Sequence, residues 1–329
     1  MSGRVLSALA LAFCVGLAGC GSSTVRTGAT STGFRTTAPA AGSAGQSSSA
    51  KRSGGHGAHR RASLYPILLP AAQGSTGPGF TPVVQWRGRT AAWIARAPSG
   101  ITLLSFDQRL LGLTLHSGTV DAGGSGWRYG PAVLGADRGR LVSAFNGGFK
   151  FSTGAGGYMS TGRVAVPLRS GLGSIVTYGD GQTDIGSWNR EVPRPGMALQ
   201  SVRQNLVLLI DHGSAASTID CRDCWGATIG ARPDVARSAL GITADGRLVW
   251  AGGEDLSVAA LTDALLASHV VRAVELDINP EWVAGYLYHH RSASASVPLG
   301  IVPVVPGQVG ASGYFLQPYS RDFFAVLAR

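Results

Sequence analysis

Four polar residues stand at alternate positions in the segment AVELDINPEW, residues 273–282. They are Glu275, Asp277, Asn279 and Glu281, and they end an apolar, β-branched run typical of a buried strand. Side chains two residues apart on a strand share a face. Two carboxylates on one face could act as general acid and base, or could bind a hard cation such as Ca²⁺. We therefore take Glu275 and Asp277 as candidate catalytic residues and leave a metal site open.

Further polar residues lie where other predicted strands end, which is where binding sites commonly form. Arg237 could hold a phosphate oxygen in a forked hydrogen bond. Each residue also has a structural alternative: Asn146 could serve a turn, Asp211 could cap a loop, and Arg237 could pair with Glu275. The candidate substrate-binding residues are Asn146, Gly147, Gly148, Arg237 and Asp211.

The elements that must position these residues are mostly strands. Alternating or continuous apolar runs predict strands in 100–115, 141–151 and 203–213. Two further segments, 82–97 and 238–253, predict hairpins that turn at Arg87-Gly88 and Ala244-Asp245-Gly246.

One helix is expected, in LSVAALTDALLASHVV, residues 256–271. Leu261, Leu265 and Leu266 lie on one apolar stripe with Val258, and Ser257 is a suitable N-cap. The predicted fold class is therefore α+β, with a mixed, mostly antiparallel β-sheet core and few helices. One domain is expected to span residues 64–329.

The charge distribution argues against nucleic-acid binding. The chain of 329 residues has a net charge of +10, but residues 1–106 hold ten Lys or Arg and no acid. The remaining eighteen basic and eighteen acidic residues cancel. Neither a helix-turn-helix nor an RNP motif is present. A basic N-terminal segment near an anionic membrane surface fits this distribution better.

The N-terminus predicts an exported, membrane-anchored protein. Residues 1–19 read as a signal peptide, because the apolar run after Arg4 is too short to span a membrane. The end of this peptide, Leu17-Ala18-Gly19-Cys20, resembles the lipobox of bacterial lipoproteins, which implies that Cys20 carries a lipid at the extracytoplasmic face. The alternative is an ordinary signal peptide with a chance cysteine. Residues 20–63 contain few large apolar residues and are expected to form a disordered linker.

Two cysteines remain for the folded part, Cys221 and Cys224. A close pair in an exported chain favours a disulfide. Redox chemistry is the weaker alternative, because Asp220 and Asp223 would raise the pKa of the thiols. A structural zinc site would need a second pair of ligands.

Several motifs resemble the phosphodiester glycosidase family, to which the lysosomal uncovering enzyme belongs. They are AFNGGF, GGYMSTGR and the run from RSALGIT to VRAVELD, within residues 140–317. Asn146, Gly147 and Gly148 match the first family motif. Arg237 matches the second, and Asp277 matches the acid of the third.

The chain also departs from the family pattern. The family's Gly-Gly-Gly-Ser after the acid is replaced by residues 278–281, Ile-Asn-Pro-Glu. Glu275 stands where Asn is common, and Lys150 stands where the first motif has a second Phe. These changes imply a variant branch whose substrate differs or whose activity is lost.

The resemblance implies a surface-anchored hydrolase that cleaves a sugar-1-phosphate diester bond in a glycan or cell-envelope polymer. Glu275 and Asp277 would act as acid and base, and Arg237 would clamp the phosphate. No cofactor is implied, although a divalent cation such as calcium is compatible with the acids. Two alternatives stay open: a non-catalytic module that binds glycan or cell-wall polymer, for which Trp225, Trp250 and Trp282 could stack on sugars, and a structural envelope lipoprotein.

Overall fold

The apolar runs of the sequence form strands that pair in three sheets over the part of the chain that the structure describes. The computed structural model describes residues 63–70, 79–221, 223–290 and 300–329. These residues all lie in one compact unit, His59–Arg329. The predicted signal peptide, the lipidated Cys20 and the linker as far as residue 62 lie outside the described residues.

The largest sheet has nine strands, and all of its named pairings are antiparallel. In spatial order they are β1 (Ile67–Leu68), β2 (Thr81–Trp86), β3 (Arg89–Arg96), β4 (Thr102–Phe106), β15 (Leu248–Leu256), β14 (Val235–Thr243), β16 (Val270–Glu275), β12 (Ile210–Asp211) and β13 (Ser214–Ala215).

Two five-stranded antiparallel sheets complete the described architecture. The first contains β10 (Thr183–Ser187), β9 (Gly173–Tyr178), β11 (Leu199–Gln204), β7 (Tyr158–Ser160) and β8 (Arg163–Val166). The second contains β18 (Gly300–Pro303), β17 (Gly285–His289), β6 (Leu141–Asn146), β19 (Phe323–Ala328) and β5 (Leu111–His116).

Helices are few in the described ranges. They are α1 (Ala136–Arg140), α2 (Val258–Ala267) and two one-turn 3₁₀ helices, Phe151–Thr153 and Ile229–Ala231. The predicted cap is confirmed, because the hydroxyl of Ser257 accepts a hydrogen bond of 3.1 Å from Ala260 N. Leu261 and Leu265 are fully buried against the nine-stranded sheet. The predicted α+β class with a mostly antiparallel core is confirmed. None of the described helices has the length and apolar character needed to cross a membrane.

The main apolar core lies where the three sheets face one another. Val274 of the nine-stranded sheet, Ile175 of the sheet containing β9 and Phe324 of the sheet containing β6 all belong to it and are almost fully buried. Phe145 and Trp250 stack in this core with ring centroids 5.7 Å apart. Removing either ring would cost about 3–5 kcal/mol of the free energy of unfolding.

Both predicted hairpins are present. Arg87 and Gly88 have φ angles of +49° and +74°, which suit the tight turn between β2 and β3. Gly246, with φ +81°, turns the chain between β14 and β15.

The predicted strand over residues 203–213 is wrong for most of its length. Strand β11 ends at Gln204, and β12 contains only Ile210–Asp211. Leu206 adopts a φ of +51°, a left-handed conformation that interrupts an extended chain. The apolar run therefore passes from one sheet to another instead of forming one strand.

Candidate active site

The site is built where β6 and β16 end next to each other. Asp277 N donates to Gly147 O at 2.8 Å. The carbonyl oxygen of Asp277 accepts from Asn146 Nδ2 at 3.3 Å and from the hydroxyl of Ser238 at 3.1 Å. Asn146 therefore holds the backbone that carries Asp277, which is more than the turn role considered from its sequence context.

The carboxylate of Asp277 is bound by one arginine and one backbone group. Its Oδ2 lies 3.0 Å from Arg321 Nη2, and its Oδ1 accepts from Ile278 N at 3.0 Å. Burial raises the pKa of Asp277 to about 7, although Arg321 opposes that rise. At neutral pH this carboxyl group therefore populates both its acid form and its base form.

Arg321 is a site residue that the sequence did not reveal. It is almost fully buried, and its Nη2 also donates to Gly148 O at 3.0 Å. Its Nε lies 2.6 Å from Asp121 Oδ2, and its guanidinium lies 4.9 Å from the ring centroid of Trp282. The one sequence signal was an Arg-Asp pair directly before the apolar final strand, outside the range of the family resemblance.

The two glycines after Asn146 lie against a second buried ion pair. Asp322 accepts from Arg203 Nε at 2.8 Å and from Gly148 N at 3.2 Å. A Cβ on Gly147 would lie 2.1 Å from Asp322 Oδ2, and one on Gly148 would lie 2.6 Å from Arg203 Cζ. Glycine is needed at both positions because no side chain fits between the turn and this pair.

Glu275 forms a separate buried pair with Arg237. Its Oε1 lies 2.7 Å from Arg237 Nη1, and its side chain has no solvent exposure. Burial raises the pKa of Glu275 to about 7, against the opposing effect of Arg237. Strand β16 ends at Glu275, so Asp277 leaves the alternation of the strand and meets a different cation. The candidate residues Glu275, Asp277, Arg237 and Asn146 were expected in one solvent-reachable cleft. In the structure Glu275 and Arg237 form a pair of their own, apart from the carboxylate of Asp277.

Asp277 lies on the wall of a cleft of about 750 Å³, here called the first cleft. Two cationic residues, Lys150 and Arg169, also line this cleft, and Lys150 Nζ lies 4.7 Å from the ring centroid of Trp282. Other residues that line the first cleft include Phe149, Thr153, Ala155, Leu172, Leu206, Val207, Asp223, Ile278, Asn279 and Trp282.

A second cleft of about 550 Å³ lies across the loop that contains the two cysteines. Cys224 lines the first cleft, Cys221 lines the second, and Asp223 lines both. The predicted disulfide between Cys221 and Cys224 is confirmed. Arg237 lines the second cleft, and its Nη1 donates to Trp225 O at 3.2 Å.

The other predicted residues lie elsewhere. Asp211 pairs with His212 at 2.8 Å and is not among the described residues that line the two clefts. Trp225 and Trp250 are fully buried, so Trp282 is the one of the three tryptophans that lines a cleft. Within the described ranges, no three His, Cys, Asp or Glu side chains cluster in a way that could hold a metal ion.

Comparisons with known proteins add the following. No protein-family model and no curated protein matches the chain. The structure is similar to the zebrafish N-acetylglucosamine-1-phosphodiester alpha-N-acetylglucosaminidase catalytic domain, auto-inhibited by its pro-peptide, with a TM-score of 0.44 and 15% identity over 80% of this chain and 88% of that one. It is also similar to a hypothetical protein from Synechocystis, with a TM-score of 0.40 and 14% identity over 77% of this chain and 64% of that one. These values are too low to bear on what the chain does.

Proposed function

We propose that the chain hydrolyses glycosyl phosphodiesters in the first cleft, with Asp277 as the catalytic carboxyl group. The observation that carries this proposal is that Asp277 lines the same cleft as two cationic residues, Lys150 and Arg169. A phosphodiester is an anion, and ammonium and guanidinium groups bind its oxygens by charge-assisted hydrogen bonds. The motifs that resemble the phosphodiester glycosidase family also meet at this point, at Asn146 and Asp277.

The reaction that fits this wall is displacement at the anomeric carbon. A water oxygen attacks that carbon, the bond to the phosphate oxygen breaks, and the phosphate monoester leaves with the electron pair. A phosphate monoester has a second pKa near 6 and leaves readily as an anion. Asp277 is therefore needed mainly as the base that takes the water proton, a role worth about 10²–10⁴-fold in rate. The proton then passes to solvent.

Glu275 has a structural role in this proposal. It is buried and bound to Arg237, whereas Asp277 alone of the two acids lines the first cleft. Arg237 is therefore the structural partner of Glu275, and Lys150 replaces it as the expected phosphate ligand.

The proposal includes anchoring at the extracytoplasmic face of the membrane through Cys20. Its support is the lipobox-like sequence at residues 17–20. The disulfide between Cys221 and Cys224 suits an oxidising compartment.

The test measures turnover of a glycosyl phosphodiester together with thermal stability. We expect Asp277→Asn to reduce turnover at least 100-fold with little change in melting temperature. Asp263→Asn is the matched control, because Asp263 is exposed on α2 and lines neither cleft. Turnover of the Asp277 variant equal to wild type would contradict the catalytic assignment.

One observation favours a second candidate function, which is glycan binding without catalysis. Trp282 lines the first cleft, and tryptophan rings stack on sugar faces. Glycan binding that depends on Trp282, with no turnover of any glycosyl phosphodiester, would support this function over hydrolysis.

A further inference from the structure

We infer that the first cleft accepts a phosphodiester whose non-sugar side is an extended apolar chain. This inference rests on the proposed function and names the class of substrate. It is drawn from the floor, the rim and the polar groups of the cleft.

The floor of the first cleft is a continuous apolar cluster. Phe149, Ala155 and Ile278 are buried together, and Leu206 packs against them. All four residues line the cleft. The apolar floor begins directly beside Asp277, because Ile278 is the next residue in the chain.

The apolar surface continues from the floor to the rim. Gly173 N donates to Leu206 O at 2.9 Å, which places Leu172 beside Leu206 and Val207. Val207 is 48% exposed, although it is a large apolar residue, and it lines the cleft. A cleft that carries apolar surface from a buried floor to an exposed rim is suited to an apolar ligand.

Two of the neutral polar side chains in the described lining already have partners. Asn279 Oδ1 accepts from Ile229 N at 3.0 Å, and its Nδ2 donates to Ala227 O at 3.2 Å. The hydroxyl of Thr153 donates to Lys150 O at 2.7 Å. A second sugar lying on the floor would lose hydrogen bonds to water there, and the apolar side chains of the floor could not replace them, which is unfavourable. An alkyl chain has no such loss.

The two cations of the first cleft lie where they could bind the phosphate of such a substrate, beside the apolar floor that would hold its chain. Lys150 is next to Phe149 in the chain and lies against Trp282, while Arg169 donates to Gly154 O, and both cations line the cleft. Lys150 stands where the family motif has Phe, so this chain has gained a cation at the start of the apolar floor. An anionic head with an apolar tail matches this order of groups.

The experiment compares glycosyl phosphodiesters with the same sugar and different groups beyond the phosphate: ethyl, hexyl and glyceryl. The full chain is reconstituted in lipid nanodiscs, with empty nanodiscs as the blank. Each buried CH₂ contributes about 0.8 kcal/mol, or about fourfold. We expect kcat/KM for hexyl to exceed that for ethyl and glyceryl by more than tenfold.

Variants test whether the apolar wall is responsible. Val207→Asn and Leu172→Asn should each reduce the hexyl-to-ethyl ratio severalfold. Val164→Asn is the matched control, because Val164 is 55% exposed and lies on β8, outside the first cleft, so its ratio should equal that of wild type.

Binding of hexyl phosphate and ethyl phosphate, measured by calorimetry, separates this inference from the proposed function. Equal turnover of hexyl and glyceryl substrates would overturn the apolar-chain inference and leave the hydrolase proposal intact. Tighter binding of hexyl phosphate with no turnover of any diester would support the apolar subsite and overturn hydrolysis. Equal binding of the two phosphates would overturn the inference.

Discussion

Asp277 and Arg321 form a buried ion pair at the wall of the first cleft, with 3.0 Å between Oδ2 and Nη2. The side chains are only 9% and 5% exposed, so water screens their interaction weakly. Asp121 shares the same guanidinium. The protonation of Asp277 therefore depends on Arg321, which lies close to the C-terminal end of the chain.

Replacing Arg321 should change the pH dependence of activity. Arg321 opposes the rise in the pKa of Asp277, so Arg321→Met should raise that pKa further. The acidic limb of the pH–rate profile should then move to higher pH. If the base form of Asp277 reacts, turnover at a fixed pH on this limb should fall about tenfold for each pH unit that the limb moves. Arg190→Met is the control, because Arg190 is exposed and lines neither cleft. An unmoved limb in folded Arg321→Met would contradict the coupling, whereas Arg321→Lys keeps the positive charge and should move the limb less.

Stability should fall as the pH rises towards neutrality. The pKa of Asp277 is about 7 in the folded chain against an ordinary value of 3.8, so the folded state binds this proton more tightly than the unfolded state does. The resulting stabilisation is fully present below about 3.8 and is lost as the pH rises through about 7. Urea denaturation between pH 4 and 8 should show this slope. Glu275, whose pKa burial also raises to about 7, adds to the same slope. Asp277→Asn should therefore reduce the slope without abolishing it and Asp263→Asn should leave it unchanged, while an equal slope in both variants would exclude the effect.

The pair of Glu275 and Arg237 should matter for folding more than for turnover. Glu275→Leu leaves Arg237 buried with neither the counter-charge nor the hydrogen-bond acceptor of Glu275 and should cost roughly 3–5 kcal/mol of the free energy of unfolding. Replacing both residues by Met should cost less than replacing one. These values are measured by chemical denaturation, with turnover recorded under conditions where the variants stay folded. Lost turnover at unchanged stability would restore the catalytic role that the sequence suggested for Glu275.

The glycine pair after Asn146 should not tolerate alanine. A Cβ at Gly147 or Gly148 would collide with Asp322 or Arg203, so each substitution should cost roughly 1–3 kcal/mol. Gly130→Ala is the control, because a Cβ at Gly130 would meet nothing within 4 Å. Thermal denaturation of the three variants tests this, and a Gly148→Ala variant as stable as Gly130→Ala would show that the turn can move.

The lipid anchor stays a prediction from the sequence, because Cys20 lies outside the described residues. We expect Cys20→Ala to release the protein from the membrane fraction or to block its maturation. Fractionation with mass analysis of the mature N-terminus checks this. A variant that fractionates and matures like wild type would remove the anchor from the proposal.

The sequence alone determined the elements whose causes are local. The alternation in 82–97 and 238–253 predicted two hairpins, and Ser257 marked the start of α2, because turns, caps and strand faces depend on neighbours a few residues apart. The close spacing of Cys221 and Cys224 likewise predicted their disulfide. The acids of AVELD were correctly seen as unusual at the end of a buried strand.

Only the tertiary structure decided what those acids contact. Alternation predicted one face for Glu275 and Asp277, but β16 ends between them, so each acid meets a different arginine. Arg321 reaches Asp277 because β19 pairs with β6, whose end lies next to the end of β16. Such contacts depend on the pairing of strands distant in sequence, which no local periodicity encodes.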